Sequence, residues 1–461
     1  MPKVNFATES ALSADNPGVT SQRLVNCYAS PTSVGARSPF VLRSVLGYSD
    51  LAFAKLGNYE LVAALGGPDY LYAVASGRLT AVSSNGVLTL LGIVPADDET
   101  VMARTEGGVA LAAGGNYYVW DGTTLTQPTG SAFANEGSVA FLDQYTVISE
   151  EGGRRVEWTE LADPGTRNAS HVKIKEGRPD NVKRVLAAQG RLWVMGETSS
   201  EIWYNTGAAG ALAFERVPGG VVDTGILGKN LCMDYQNTVF LVGDDKVVYR
   251  ASGLSFQPIS TTAVNRAIEE ETPTHVFAYE DRGHKFVCVR FASRPAWCFD
   301  LTTGGWHERC TGVEFGGWDI VATSQSYGKW LAANASADIE ELTRSNYDRS
   351  QPLRRVMVSL PLDVDGEYVS VSMIEFRIQA GIDAIVEGLN TDADATAMLR
   401  VSRDGGANFG LEKQVSLGRL GEMDKRARFR ALGRSDHFTF ELSIADKADL
   451  PVESMGLLEA S

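Results

Sequence analysis

Between about residue 58 and residue 345, short apolar-polar alternations recur, each closed by Gly, Asn, Asp or Ser. Alternation of that kind predicts half-buried β-strands, because successive side chains on a strand point to opposite faces. The runs fall into groups of four. Residues 61–65, 70–75, 79–83 and 87–94 predict the first sheet, and 102–105, 109–113, 117–120 and the neighbourhood of Leu125 the second. A third is read from 139–142, 146–149 and 156–161, with residues 162–179 as a loop after it. The fourth group, 185–188, 192–196, 202–205 and 214–217, has the clearest alternation, and 231–235, 239–242, 247–250 and 256–259 make the fifth. Residues 276–279 and 286–291 open the sixth, and 318–323, 330–334 and 339–342 either form a seventh or complete the first. Sheets of four strands repeating about every 40–45 residues predict a β-propeller, of six or seven blades.

A hairpin motif reinforces the repeat. Residues 297–309, WCFDLTTGGWHER, place Trp297, Phe299 and Leu301 on one face before a Thr-Gly-Gly turn, and Trp306 resumes the pattern. Residues 117–127, YYVWDGTTLTQ, repeat the aromatic-x-aromatic-Asp entry, and residues 247–257, VVYRASGLSFQ, are a looser copy. One short helix interrupts the β texture: residues 261–271 carry Val264, Ala267 and Ile268 at helical spacing, with Thr262 as the expected N-cap.

Two flanking regions differ. Residues 1–50 show little periodicity apart from 22–28, which predict one strand, and read as an arm packed on a neighbouring domain or subunit. Residues 346–461 carry longer alternating runs without helices, at 356–362, 368–379, 397–402, 412–417, 427–432 and 438–444. That pattern predicts a C-terminal β-sandwich or platform domain beside the propeller at 51–345. Neither flank shows a self-contained core in its sequence, so both are expected to pack against neighbouring subunits.

Composition narrows the function classes. The chain has 461 residues, 44% of them hydrophobic, and a net charge of −15. A general nucleic-acid binder normally shows a basic footprint, which this balance lacks. Residues 51–345 hold 24 Lys or Arg against 35 Asp or Glu, so the propeller region carries −11 of the total. Five cysteines without a Cys-x-x-Cys pair read as buried, reduced thiols. With no signal-peptide pattern and no long apolar run, synthesis in the cytoplasm as a soluble chain is expected.

No catalytic set stands out in the sequence. Gly228-Lys229-Asn230 lacks the glycine and hydroxyl of a phosphate loop, and Gln257 stands where a nucleophile elbow after Gly253-Leu254-Ser255 needs its last glycine. His307-Glu308 opens a zinc-helix pattern that Thr311 breaks, and the remaining histidines are scattered. Residues 402–409, SRDGGANF, match an Asp-box turn, a local device found in sialidase-like propellers. A single copy outside the blades points to a turn, with glycosidase chemistry as the rival reading. The strongest charge cluster is KRARFR at 425–430: on a strand, Arg426, Arg428 and Arg430 share one face and Ala427 and Phe429 the other. That face suits a subunit contact, a DNA phosphate contact, or solvation by nearby carboxylates such as Glu422 and Asp424.

Residues 297–309, the run GDDKVVYRASGLSFQPIST at 243–261, the run VSRDGGANFGLEKQVSLGRLGEMDKRARFRALG at 401–433 and the arm at 23–28 together resemble the packaged-DNA-stabilisation, or tail-nozzle, proteins of short-tailed bacteriophages. The resemblance implies a non-enzymatic virion protein without cofactor, forming a hexameric ring below the portal and the adaptor or head-to-tail connector. It implies contact with a tail needle or fibre and passage of genomic DNA without specific binding. A receptor-binding tail protein is the second rival reading.

Overall fold

The computed structural model describes residues 3–6, 10–13, 21–33, 36, 38–49, 51–345, 347–349, 351–363, 368–378, 395–418, 425–445, 451–453 and 455–460. Its centre is a ring of seven antiparallel blades. Blade one runs Leu61–Gly67, Tyr70–Ala75, Arg78–Val82 and Leu88–Ile93; blade two runs Val101–Arg104, Val109–Ala113, Asn116–Trp120 and Leu125–Thr126. Blade three is Glu136–Leu142, Tyr145–Glu150, Arg155–Glu160 and Asp163–Ile174, and blade four Val182–Ala188, Arg191–Gly196, Ser200–Asn205 and Phe214–Val222. Cys232–Tyr235, Thr238–Val242, Val248–Ser252 and Ser255–Pro258 make blade five. His275–Asp281, His284–Arg290, Ala296–Asp300 and Trp306–Arg309 make blade six.

Blade seven decides the count that the sequence left between six and seven. Ile320–Ser326, Lys329–Asn334 and Asp338–Thr343 supply three strands, and Ala54–Lys55, from before blade one, pairs with the third as the fourth. Gly47–Tyr48 pairs with the same strand and tightens the closure. Only glycine fits there, since a Cβ on Gly47 would lie 2.3 Å from the carbonyl oxygens of Ser345 and Tyr347.

Blades pack face to face through their apolar rows. Trp158 and Val147 of blade three meet Trp203, Val185 and Phe214 of blade four, and Trp193 and Ile202 meet Leu241 and Cys232 of blade five. Each large side chain removed from water in this way stabilises the ring by about 1.5–3 kcal/mol. The three look-alike hairpins occupy the same place in their blades, joining third to fourth strand in blades two, five and six. Asp121 and Asp300 act alike in two of them. Asp121 Oδ1 accepts from the backbone N of Thr123 and Thr124 at 2.8 Å, and Asp300 Oδ1 from Thr302 N at 2.9 Å. The turn is held by its own carboxylate.

Blade six does not end at its fourth strand. Trp306–Arg309 pairs in parallel with the arm strand Ser21–Val25, which pairs with Arg355–Val358, then His437–Ile444, Ala395–Ser402 and Lys413–Gly418. Among the described residues the result is one sheet of eleven strands shared by the propeller and the C-terminal region. A second sheet faces it, built from Cys27–Pro31, Phe40–Ser44, Val452–Glu453, Val369–Ile378, Met455–Ala460 and Lys3–Asn5, with Lys425–Ser435 also on Val369–Ile378. Phe376, Phe429, Phe438, Phe440, Leu442 and Leu24 fill the space between the sheets. The same apolar cluster runs on through Trp306 to Val264 and Ile268 of the helix Thr262–Glu270.

Several local expectations are corrected. Residues 162–179 are not a loop, because Asp163–Ile174 is the outer strand of blade three. Its inward positions are Arg167 and His171, so no apolar alternation marks it. Residues 22–28 form two strands, broken at Asn26, whose φ of 54° turns the chain from one sandwich sheet to the other. The helix N-cap is Thr261, not Thr262, and its side chain makes no capping bond. The C-terminal region has a core of its own, to which the arm contributes within the same chain.

Candidate functional site

The arginine face stands on the outer surface of the second sandwich sheet. Along Lys425–Ser435, Arg426, Arg428 and Arg430 are exposed while Ala427 and Phe429 are buried, and Phe429 meets the Phe376 ring at 6.3 Å. The pairing strand Val369–Ile378 places Glu375 opposite Arg428 and Arg377 opposite Arg426. Arg428 Nε donates to Glu375 Oε2 at 2.7 Å, and Arg426 Nε stands 3.7 Å from Oε1 of the same carboxylate. Glu375 is buried, and its carboxylate faces two guanidiniums whose side chains are about half exposed. Lys413 Nζ, bonded to the Arg430 and Ala431 carbonyls at 2.8 and 2.9 Å, adds another positive charge beside them. Such a forked, positive strip inside an acidic chain is suited to carboxylate or phosphate. Glu422 and Asp424, the carboxylates expected to solvate this face, lie outside the described residues.

The Asp-box turn is closed on itself. Ser402 Oγ donates to Asp404 Oδ1 at 2.6 Å, and Asp404 accepts from the backbone and side chain of Asn408 at 2.9 and 2.8 Å. These bonds hold the Asp404 carboxyl down at about 2, and the Arg400 guanidinium lies 5.2 Å over the Phe409 ring. A carboxylate so employed holds a hairpin and is not free for sugar chemistry.

The hairpin of blade six anchors the arm. Arg23 grips Glu308 with two bonds of 2.5 and 2.7 Å, the Asn26 side chain accepts from Cys310 N at 2.9 Å, and Trp306 N donates to Ser10 Oγ at 3.1 Å. Behind it, Arg309 is fully buried between the Trp318 ring, 4.6 Å away, and Asp348, 2.7 Å away. His284 Nδ1 meets Asp300 Oδ2 at 2.6 Å and its Nε2 meets Ser30 Oγ at 3.1 Å. Hydroxyl, imidazole and carboxylate therefore stand in a row that the sequence did not announce, since Ser30 comes from the arm. The imidazole lies against Tyr28 and Phe286, with ring centroids at 4.8 and 6.0 Å, and the row ties the arm to the blade.

The propeller axis encloses a cavity of about 290 Å³ lined by Arg184, Asn230, Asp234, His275 and Thr323 among others. Burial pushes Asp234 up to about 6, and burial with the Arg290 and Arg184 charges pushes His275 down to about 4. Lys229, of the rejected phosphate loop, is buried against Glu151 at 2.8 Å and Glu99 at 3.3 Å. His307 and Glu308 lie on a strand, and among the described residues no cluster of three His, Cys, Asp or Glu is placed to hold a metal ion.

A family model described as bacteriophage P22 Gp10, beta-propeller, matches residues 22–346, and one described as bacteriophage P22 Gp10, beta-sandwich, matches residues 354–456. No curated protein matches the chain. Among solved structures, the crystal structure of the computationally designed Ika8 protein is similar at 11% identity and a TM-score of 0.40, over 63% of this chain and 99% of that one. A chain in the crystal structure of the mitotic checkpoint complex is similar at 10% identity and a TM-score of 0.43, over 65% and 88%. The structure of U3-55K is similar at 11% identity and a TM-score of 0.40, over 64% and 99%.

Proposed function

This chain belongs to the bacteriophage P22 Gp10 family, and from that membership we propose that it forms a ring of six subunits extending the DNA channel of a short-tailed phage. It is a structural protein of the virion tail, of the tail-nozzle family. The ring lies below the portal and adaptor, retains the packaged genome, receives a needle or fibre, and lets DNA through without specific binding. One observation carries this reading: the two family matches stand in order and together span most of the chain. The sheet shared by blade six and the sandwich supports it, because a continuous strand ladder suits a wall that bears load. The closed Asp-box turn gives the glycosidase reading no carboxylate to use.

Charge supports the passage of DNA. Six copies of a region with net −11 bring together on the order of 66 excess negative charges, which disfavours the phosphate contacts that make binding tight and salt-dependent. Native mass measurement of the purified protein with its adaptor tests the ring: six copies are expected, and a monomer bound at a single site contradicts it. Duplex DNA at low salt is expected to show no measurable affinity for the ring. Tight binding there would overturn the repulsive-channel account.

A further inference from the structure

Blade six carries two of the five cysteines directly opposite each other. In the antiparallel register of His284–Arg290 with Ala296–Asp300, Cys288 faces Cys298. Leu301 N donates to Lys285 O at 2.8 Å, so hydrogen-bonded pairs fall at 285/301 and 287/299. Residues 288 and 298 therefore form a pair without backbone bonds, the position at which facing strands approach closest, with Cα atoms about 4.5 Å apart. That separation lies inside the range a disulfide spans, about 4.4–6.8 Å. Both thiols are free, and the Cys288 Sγ stands 2.7 Å from the Cys298 Sγ.

We propose that Cys288 and Cys298 are a built-in oxidation site, converted to a cross-strand disulfide by a small peroxide once the folded chain leaves a reducing compartment. Both residues are wholly buried, which restricts the site to an oxidant of about the size of water, admitted by local opening of the blade. The environment divides the roles. His307 is the register partner of Cys298 on the next strand. Burial pushes the Cys298 thiol up, but the hydrogen bond from Cys288, with the neighbouring His307 and Arg309 side chains, brings it below the usual thiol range. Burial and the hydrogen bond that Cys288 gives to Cys298 push Cys288 well above the usual thiol range.

With Cys288 the donor in the Sγ–Sγ contact and His307 beside Cys298 in the register, Cys298 is the attacking sulfur and Cys288 the resolving one. The Cys298 sulfur attacks a peroxide oxygen: an S–O bond forms, the O–O bond breaks, and the departing hydroxide leaves as water with the thiol proton. The Cys288 sulfur then attacks the sulfenic sulfur: the S–S bond forms, the S–O bond breaks, and the second water carries away the Cys288 proton. Two thiols lose two electrons and one peroxide becomes two waters. The product locks the two middle strands of the blade through which propeller and sandwich share a sheet. The inference rests on the register of blade six and not on the tail reading.

The test is a thiol count on the full chain, kept folded in hydrogen peroxide, quenched, then denatured and mapped. The count is expected to fall from five to three, with Cys288 and Cys298 on one linked peptide, and dithiothreitol restores five. In Cys288→Ala, the same treatment is expected to leave a Cys298 sulfenic acid that dimedone traps, with no link. Five free thiols in the treated wild-type protein, or a link that uses Cys27, Cys232 or Cys310, would overturn the proposal. The wild-type count decides even where the variant fails to fold.

Discussion

At the residue scale, buried charges are the points on which stability turns. Arg309 has no exposed surface and depends on Asp348 for its countercharge. Removing that partner leaves a guanidinium in a low-dielectric pocket, so Asp348→Ala is expected to cost about 3–5 kcal/mol. A denaturant titration that finds under about 1 kcal/mol would show the pair is not needed. His275 predicts a pH dependence. The unfolded chain takes up a proton near its ordinary value of 6.5, whereas the folded chain resists until about 4. The unfolded state therefore binds more protons within that window, and stability falls as pH drops through it. The contribution is whole above about pH 6.5, and about 3 kcal/mol is lost on the way to pH 4. His275→Gln is expected to flatten that part of the stability-pH curve, and an unchanged slope would refute the assignment. Of the arginine face, the alternation of Arg426, Arg428 and Arg430 with Ala427 and Phe429 was legible from the sequence alone. Glu375 was not, because a carboxylate on another strand leaves no mark at positions 425–430.

At the element scale, the repeated hairpin offers an internal comparison. Asp300 and Asp121 hold equivalent turns, but Asp300 is buried and also serves His284, whereas Asp121 is exposed. Asp300→Ala is expected to cost about 3 kcal/mol through several orphaned donors, and Asp121→Ala distinctly less. Equal losses in a matched pair of denaturation curves would mean that the turn alone matters. Most blade strands were legible because a two-residue period survives wherever one face is buried. Asp163–Ile174 escaped because its inward residues are polar: Arg167 bonds Glu136 and Glu157 at 2.7 Å, partners that only folding supplies. The sharing of blade six with the sandwich was equally hidden. Its pairing of Val25 with Glu308 joins distant residues and has no local periodicity to betray it.

At the scale of the whole molecule, propeller and sandwich are joined by strand pairing and by one apolar cluster. Truncating the arm removes strands from both sandwich sheets, so loss of residues 1–40 is expected to unfold the C-terminal domain as well as abolish assembly. Retention of its cooperative unfolding transition would contradict that. The arginine face is expected to act between subunits: replacing Arg426, Arg428 and Arg430 by Ala should weaken ring formation while the monomer keeps its denaturation midpoint. Wild-type assembly by that triple variant at elevated salt would reduce the cluster to a solvated surface. The central claim concerns where the protein stands in the particle, and a cryo-EM reconstruction of purified virions tests it most directly. The account predicts six copies around the tail channel beneath the adaptor, with carboxylates of the propeller region facing the DNA path. Absence from the channel wall, or a channel lined mainly by Lys and Arg of this chain, would contradict it.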